Sequence, residues 1–306
     1  MKKVILAGGS GFLGQALART FVADGIDVVV LSRSQEKDGL KGRIIQWDAR
    51  TIGGWKEELE DADVLINLSG RSVDCRYTKE NRALILNSRI DSTRVLGEAI
   101  EKLENPPQSW FNASTATIYN DCRGDSVPHD EKSEVNARGF SEEVGRAWEN
   151  IFFGSGREGV RQVALRITIV LGKEGGAFPV MHRFCKLGLG GVQGPGSQWM
   201  SWIHVEDWIG IVRFLINNES IEGPVNLAAP HPVTNSEFMR EMRKQFAPFG
   251  IGLPAPSFAV RMGAVLIGTE PELVLKSRKV VSRILGVNGY EFKYPTIESG
   301  IKNLSD

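Results

Sequence analysis

An α/β fold with a doubly wound parallel sheet and a smaller α-rich C-terminal region is what this 306-residue sequence predicts, on three observations. Glycines at 8, 11 and 14 sit between a short apolar run, Val4 to Leu6, and an amphipathic run in which Leu13, Leu17 and Phe21 recur at helical spacing. Gly25 stops that helix and Asp27 to Leu31 reads as a second strand, which completes a β-α-β opening. Strand-like and helix-like stretches then keep alternating to about Ile167, as in a parallel sheet covered on both faces. Glycines at a strand-to-helix junction lack the Cβ that would keep a pyrophosphate off the backbone, and the helix N-terminus adds partial positive charge. The opening is therefore Rossmann-like, and Gly8, Gly11 and Gly14 are cofactor candidates.

After the second strand, Arg43 to Gln46 and Asp63 to Asn67 read as strands three and four, with a short helix centred on Trp55 between them. Asn67-Leu68-Ser69-Gly70 closes strand four with small and polar residues, at the edge where open α/β sheets bind ligands. Tyr77 to Leu103 is helical by the spacing of Leu84, Ile90, Val95, Leu96 and Ile100, and Pro106 and Pro107 end it. Trp110 to Ser114 is strand five, followed by Thr115 to Tyr119 and a polar loop to about Gly139, long enough to be functional or mobile. Phe140 to Phe153 is a helix and Gln162 to Ile167 a strand. Beyond Gly172 the pattern changes: Phe178 to Leu187 is a helix candidate, Gly188 to Gly196 is glycine-rich, and Gln198 to His204 is a strand dense in tryptophan. Val205 to Ile216, Val225 to Ala228, Ser236 to Phe246 and a stretch from about Pro254 to Leu304 complete the chain. These elements imply a cofactor-binding domain over 1–230, in which 172–204 contributes to a substrate cleft, and a small C-terminal domain over 231–306.

Lys+Arg and Asp+Glu both number 37, so no net charge draws the protein to nucleic acid or an anionic membrane. Cys75, Cys122 and Cys185 form no C-x-x-C pair, and the four histidines show no metal-ligand spacing, so no metal and reduced thiols are expected. The Met-Lys-Lys start turns glycine-rich too soon for a signal-peptide core, and no stretch approaches the roughly 20 apolar residues of a membrane span. A cytoplasmic location is the expectation.

The residue that ends strand two of a Rossmann sheet faces the adenosine ribose, where an acid selects NAD and an arginine accommodates the 2′-phosphate of NADP. Here the strand ends Leu31-Ser32-Arg33, with no acid until Glu36. Ser32 can donate a hydrogen bond to a phosphate and Arg33 can pair with it bidentately, which predicts NADP(H); the alternative is a solvated loop cation.

The sequence resembles the short-chain dehydrogenase/reductase superfamily, in its extended or atypical branch, and within that the NAD(P)-binding, sugar-epimerase-like "epimerase family". The resemblance rests on Ala7 to Gly14, Asn67 to Gly70, Asn87-Ser88-Arg89, Ser114 to Tyr119, Leu165 to Gly172 and Trp202 to Asp207. The tail from Pro254, with Leu275 to Val280 and Tyr294-Pro295, is similar to the family's small C-terminal domain. The resemblance implies cofactor contact by Ser10, Gly11, Phe12 and Leu13, by Ser32 and Arg33, by Asn67, Leu68 and Ser69, and by the backbone around Ile169 and Val170. It also implies a homodimer. Arg89 is a further anion candidate or a surface cation on its helix; Asp48 faces the adenine or caps the next segment.

The superfamily's hydride chemistry uses a tyrosine, a lysine four residues later and a serine or threonine. A phenol with a pKa of about 10 is a poor base at neutral pH without a cation to stabilise its phenolate. Thr115 matches the serine/threonine position, with Ser114 beside it, but the tyrosine and lysine positions fall on Phe140 and Val144, which cannot titrate. Substitutes are Tyr119, which could instead pack over the nicotinamide, and Glu142 or Glu143, which also suit the first turn of a helix. His204 could line the substrate cleft or be hydrogen-bonded in the seam between domains. The expected function is an NADP(H)-dependent oxidoreductase or epimerase-like enzyme acting on a small polar, sugar-nucleotide-like substrate. The alternative is a non-catalytic NADP(H)-binding sensor or scaffold.

Overall fold

The computed structural model describes residues 1–34 and 39–305. Its first half runs β1 (Lys3–Ala7), α1 (Phe12–Ala23), β2 (Asp27–Ser32), β3 (Arg43–Gln46), β4 (Val64–Asn67), α2 (Lys79–Ile100), β5 (Ser109–Thr115), α3 (Phe140–Gly154) and β6 (Arg161–Ile167). The second half runs β7 (Ile169–Gly172), β8 (Gly175–Gly176), α4 (Phe178–Lys186), β9 (Trp199–Met200), β10 (Trp202–His204), α5 (Val205–Asn217) and β11 (Gly223–Leu227). It ends with β12 (Val233–Thr234), α6 (Asn235–Phe246), α7 (Ser257–Ile267), α8 (Glu272–Leu275), α9 (Arg283–Val287) and α10 (Ile297–Ser305).

Seven parallel strands form the main sheet, in the order β11-β6-β5-β4-β1-β2-β3. Strand alternation decides what each face buries: Val4 and Leu6 point to one side with Leu17, Phe21, Trp208 and Ile211, under α1 and α5. Ile5 and Ala7 point to the other side with Val95, Leu96, Ala99 and Phe152, under α2 and α3. The chain leaves β1 toward β2 and β3 on one side and returns to build β4, β5, β6 and β11 on the other. That reversal opens a crevice over the carboxyl ends of β1 and β4, where Ala7 is in register with Asn67.

A second, smaller core draws on both sides of residue 230: Leu171, Phe178, Met200 and Trp202 pack with Phe238, Met239, Ile297 and Ile301. The strand expected over Gln198 to His204 is broken at Ser201. Its first part, β9, pairs antiparallel with β12, whereas β10 pairs parallel with β7. Ser201 Oγ instead donates to Arg278 O at 2.9 Å and accepts the Val280 amide at 2.7 Å. The C-terminal segment is thus threaded between β9 and β10 on one side and the long polar loop on the other. There Cys122 N donates to Ser277 O at 3.1 Å and His129 N to Lys279 O at 2.8 Å.

Candidate functional site

The glycine loop is shaped by two close approaches. Gly8 has φ +72°, and a Cβ there would lie 2.8 Å from Ser69; a Cβ on Gly14 would lie 2.4 Å from Gly9 Cα. The loop therefore folds tightly against β4 and its own helix. α1 starts at Gly11 with no side-chain cap and no acid in its first turn, so its first amides and partial positive charge are left to a ligand.

Two cavities meet at this loop, and Gly8, Gly11 and Leu68 line both. The first, of about 530 Å³, runs over Leu13, Arg89, Thr115, Phe140, Val144 and Ile169; the second, of about 510 Å³, takes in Ser10, Ser32, Arg33, Trp47, Ser69 and Arg71. Both have the size of small-molecule sites.

In the second cavity Ser32 is buried at the end of β2, and Arg33 follows it, exposed. Asp48 accepts from Thr51 Oγ1 at 2.6 Å, Thr51 N at 2.9 Å and Arg50 N at 2.8 Å. These bonds, led by the Thr51 hydroxyl, hold its carboxyl at a pKa of about 2. Asp48 thus holds the turn that follows it and also lines the second cavity. Asn67 is wholly buried and lines neither cavity: its Nδ2 donates to Asn112 Oδ1 at 2.7 Å, and its Oδ1 accepts the Ser69 amide at 3.0 Å. Asn67 positions Ser69, which lines the second cavity and whose buried Oγ has no protein partner. An orphaned hydroxyl, a loop that tolerates no Cβ and a serine-arginine pair at the end of β2 together fit a dinucleotide. Val170 sits inside the small sheet beside Ile203, so of the two residues expected there only Ile169 reaches a cavity.

Arg89 comes up from α2 to the first cavity. Its Nη1 donates to Ile85 O at 2.9 Å and Arg71 O at 3.1 Å, and its guanidinium lies 5.0 Å from the Trp148 ring. Burial, with no carboxylate against it among the described residues, lowers its pKa to about 10. A Cβ on Gly70 would press on Arg89 Cζ at 3.2 Å, which places this charge beside the β1/β4 crevice.

Thr115 lines the first cavity, its Oγ1 2.7 Å from that of Thr117. Tyr119 does not reach either cavity. It is wholly buried, its hydroxyl donates to Asn226 Oδ1 at 2.9 Å and accepts from Arg166 Nη1 at 2.7 Å, and its ring stacks on His129. Burial raises the Tyr119 pKa further. Arg166 is in turn held by Glu149 through two bonds of 2.8 and 2.7 Å, and Ser114 Oγ donates to the same carboxylate at 2.6 Å. The expectation that Tyr119 transfers protons is therefore corrected: it is a bolt between β5, β6 and β11. Glu143 is exposed on α3 and lines neither of these two cavities. Glu142 is buried between Arg278 Nη2 at 2.7 Å and Lys276 Nζ at 2.9 Å. His204 is likewise buried away from both cavities. Its Nδ1 accepts the Glu206 amide at 3.1 Å and so caps α5, its ring centroid lies 4.0 Å from that of Tyr294, and burial lowers its pKa to about 4.

One phenol that sequence spacing missed does line the first cavity. Tyr77 was expected as the start of the long helix, but Thr78 caps α2 by accepting the Asn81 amide, which leaves Tyr77 in the loop before it. Its ring packs edge-on against Phe140 at 5.0 Å, and its hydroxyl bonds to Ser141. Thr78 followed by Lys79-Glu80-Asn81 was the signal available in the sequence. The Tyr77 amide donates to Glu270 Oε2 at 3.1 Å, a contact across 193 residues that spacing cannot reveal.

This fold and this cleft define a dinucleotide-binding α/β protein of the short-chain dehydrogenase/reductase type. The chain belongs to the NAD dependent epimerase/dehydratase family, whose model matches residues 4–228; residues 255–304 match a domain of unknown function, DUF1731. It is 32% identical to the epimerase family protein YfhF of Bacillus subtilis, over 98% of this chain and 97% of that one. Among solved structures it is similar to human epimerase family protein SDR39U1 (isoform 2) with NADPH, at 28% identity, TM-score 0.86 and 99% coverage of both chains. UDP-N-acetylglucosamine 4-epimerase from Bacillus cereus shares the fold at TM-score 0.77 and 19% identity, over 100% of this chain and 98% of that one. No helix among the described residues is long and apolar enough to cross a membrane.

Proposed function

We propose that the protein is an NADP(H)-dependent oxidoreductase that acts on a small molecule in the first cavity. The observation that carries this reading is the continuity of the two cavities across Gly8, Gly11 and Leu68, so that one dinucleotide can reach from Arg33 to Thr115. Ser32 and Arg33 hold the 2′-phosphate, the first amides of α1 the pyrophosphate, and Ser69 Oγ a ribose hydroxyl. Arg89, on α2, supplies a positive charge near the place the missing lysine would serve, over the ring of Trp148, which lies one turn along α3 from Val144. Thr115 orients the reacting oxygen of the substrate. When bound, a reduced nicotinamide supplies a hydride; the apolar walls of Phe12, Val144 and Ile169 keep water from it. The human relative solved with NADPH supports the choice of cofactor.

The reading as a sensor or scaffold is favoured by Phe140 and Val144 alone, because a protein that only binds cofactor has no need of the wall of Met181, Met200, Leu273 and Val274 that also lines the first cavity. Fluorescence titration tests the cofactor assignment. NADPH is expected to bind at least about tenfold more tightly than NADH, and Arg33→Ala to erase most of that preference. Equal affinity for the two in the unmodified protein would sink the NADP reading.

A further inference from the structure

We propose that the first cavity reduces an uncharged, largely apolar carbonyl compound, not a nucleotide sugar, and that Tyr77 is the group that protonates the carbonyl oxygen. The proposal rests on the oxidoreductase reading and adds to it a substrate class and a proton donor.

Charge carries the first part. Arg89, Lys276 and Arg278 are the cations among the described residues that line this cavity. Arg89 belongs to the cofactor side, beneath Gly70. Lys276 Nζ lies 2.9 Å from both Glu142 Oε1 and Glu272 Oε1; Arg278 reaches Asp121 Oδ1 and Glu142 Oε1, each at 2.7 Å. Arg123 Nη2 also meets Asp121 Oδ2 at 2.9 Å, so three cations face three carboxylates, which leaves Lys276 and Arg278 already paired and not free for a diphosphate. The remaining wall is mainly apolar, with Val73, Met181, Met200, Leu273 and Val274. Such a surface desolvates an aromatic or aliphatic body at little cost and leaves a diphosphate unpaired.

Position carries the second part. The family's tyrosine site is Phe140, and the edge-on contact of Tyr77 with that ring puts a phenol beside the vacant place, supplied by the β4–α2 loop. Ser141 bonds to the Tyr77 hydroxyl and donates its own hydrogen to Glu272, so the phenol is fixed in the cavity by a neighbour that is itself held. Burial, with the Glu272 charge adding to it, pushes the Tyr77 pKa up to about 12, so the phenol stays protonated at neutral pH. A phenol in that state can give its proton to an alkoxide. In the step, hydride from the reduced dinucleotide forms the new C–H bond as the carbonyl π bond breaks. The oxygen takes the Tyr77 proton, the dinucleotide leaves oxidised, and the phenolate is reprotonated from water.

The test uses the full chain loaded with NADPH and follows absorbance at saturating concentrations of 9,10-phenanthrenequinone, trans-cinnamaldehyde and acetophenone, with UDP-glucose binding measured by calorimetry. Oxidation of NADPH by at least one neutral carbonyl is expected, with no saturable binding of UDP-glucose. Tyr77→Phe is expected to lower kcat about 100-fold while KM and NADPH affinity stay within about threefold. Inertness toward all three neutral compounds, saturable UDP-glucose binding, or an undiminished kcat in Tyr77→Phe would overturn the proposal. Failure of the protein to bind NADPH at all would instead overturn the oxidoreductase reading beneath it.

Discussion

The two halves of the cleft are built by opposite rules. On the cofactor side, short stretches that follow individual strands act almost alone: Gly8 to Gly14 after β1, Ser32 and Arg33 after β2, Leu68 and Ser69 after β4. Their backbone is pinned while their polar groups, Ser69 Oγ above all, are left for a ligand. On the substrate side the polar groups have already found one another. Glu142 on α3 is joined to Lys276 and Arg278, 134 and 136 residues away, and Arg278 to Asp121 in the polar loop. A region that binds a charged dinucleotide keeps its cations available; a region that has cancelled its own excludes anions.

The largest expected effect comes from breaking the cofactor half. Gly14→Val puts a side chain where even a Cβ meets Gly9 at 2.4 Å, and should weaken NADPH by about 100-fold or more in a fluorescence titration, roughly 3 kcal/mol. Binding within threefold of the unmodified protein would show that the loop is not the pyrophosphate site. Next comes the scaffold of the substrate half. His204 is buried as the neutral ring, its pKa lowered from 6.5 to about 4, so the unfolded chain takes up the proton first. Its contribution is complete above pH 6.5 and is lost as pH falls toward 4, by about 3 kcal/mol. Denaturant unfolding at pH 7 and 4.5 checks this: His204→Asn, which keeps a cap for α5, should lose much less stability between those values than the unmodified protein. Arg33→Ala should cost NADPH about 10- to 30-fold and leave NADH within twofold, since only the former carries the phosphate. The smallest effect sharpens the contrast. Lys276→Gln should change NADPH affinity less than twofold, because this ammonium is occupied by Glu142 and Glu272; a large loss would place it in the cofactor site.

What the sequence reveals divides along the same line. The glycine spacing, the Ser32-Arg33 pair and the apolar Phe140 and Val144 at the start of α3 are local, and each element around them forms where its periodicity places it. Thr115 was readable for the same reason, as the end of β5. Tyr119 was not, because what removes it from the cleft lies on β6 and β11: Arg166 and Asn226 are 47 and 107 residues away and take both sides of its hydroxyl. Tyr77 was hidden twice, by a helix start misplaced by two residues and by partners near the C-terminus that seat its loop, with Arg76 Nη1 on Thr269 O at 3.1 Å and the Tyr77 amide on Glu270. The single strand expected over Gln198 to His204 failed likewise, because Ser201 answers to residues 278 and 280. Sequence patterns encode how a segment folds against its neighbours, as in the Glu272–Lys276 pair; that Glu142 meets Lys276 and Arg278, and Asp121 meets Arg278, across more than 130 residues has no local pattern.

On the proposed reading, the first cavity is where NADPH gives up its hydride to a neutral carbonyl. Single-turnover transfer from NADPH deuterated stereospecifically at C4, with mass spectrometry of the product, tests it most directly. One deuterium is expected at the carbinol carbon of a neutral alcohol product, from one C4 face only, with the amount of label reduced about 100-fold in Tyr77→Phe at equal reaction time. Full occupancy by NADPH with no deuterium in any neutral product would contradict it.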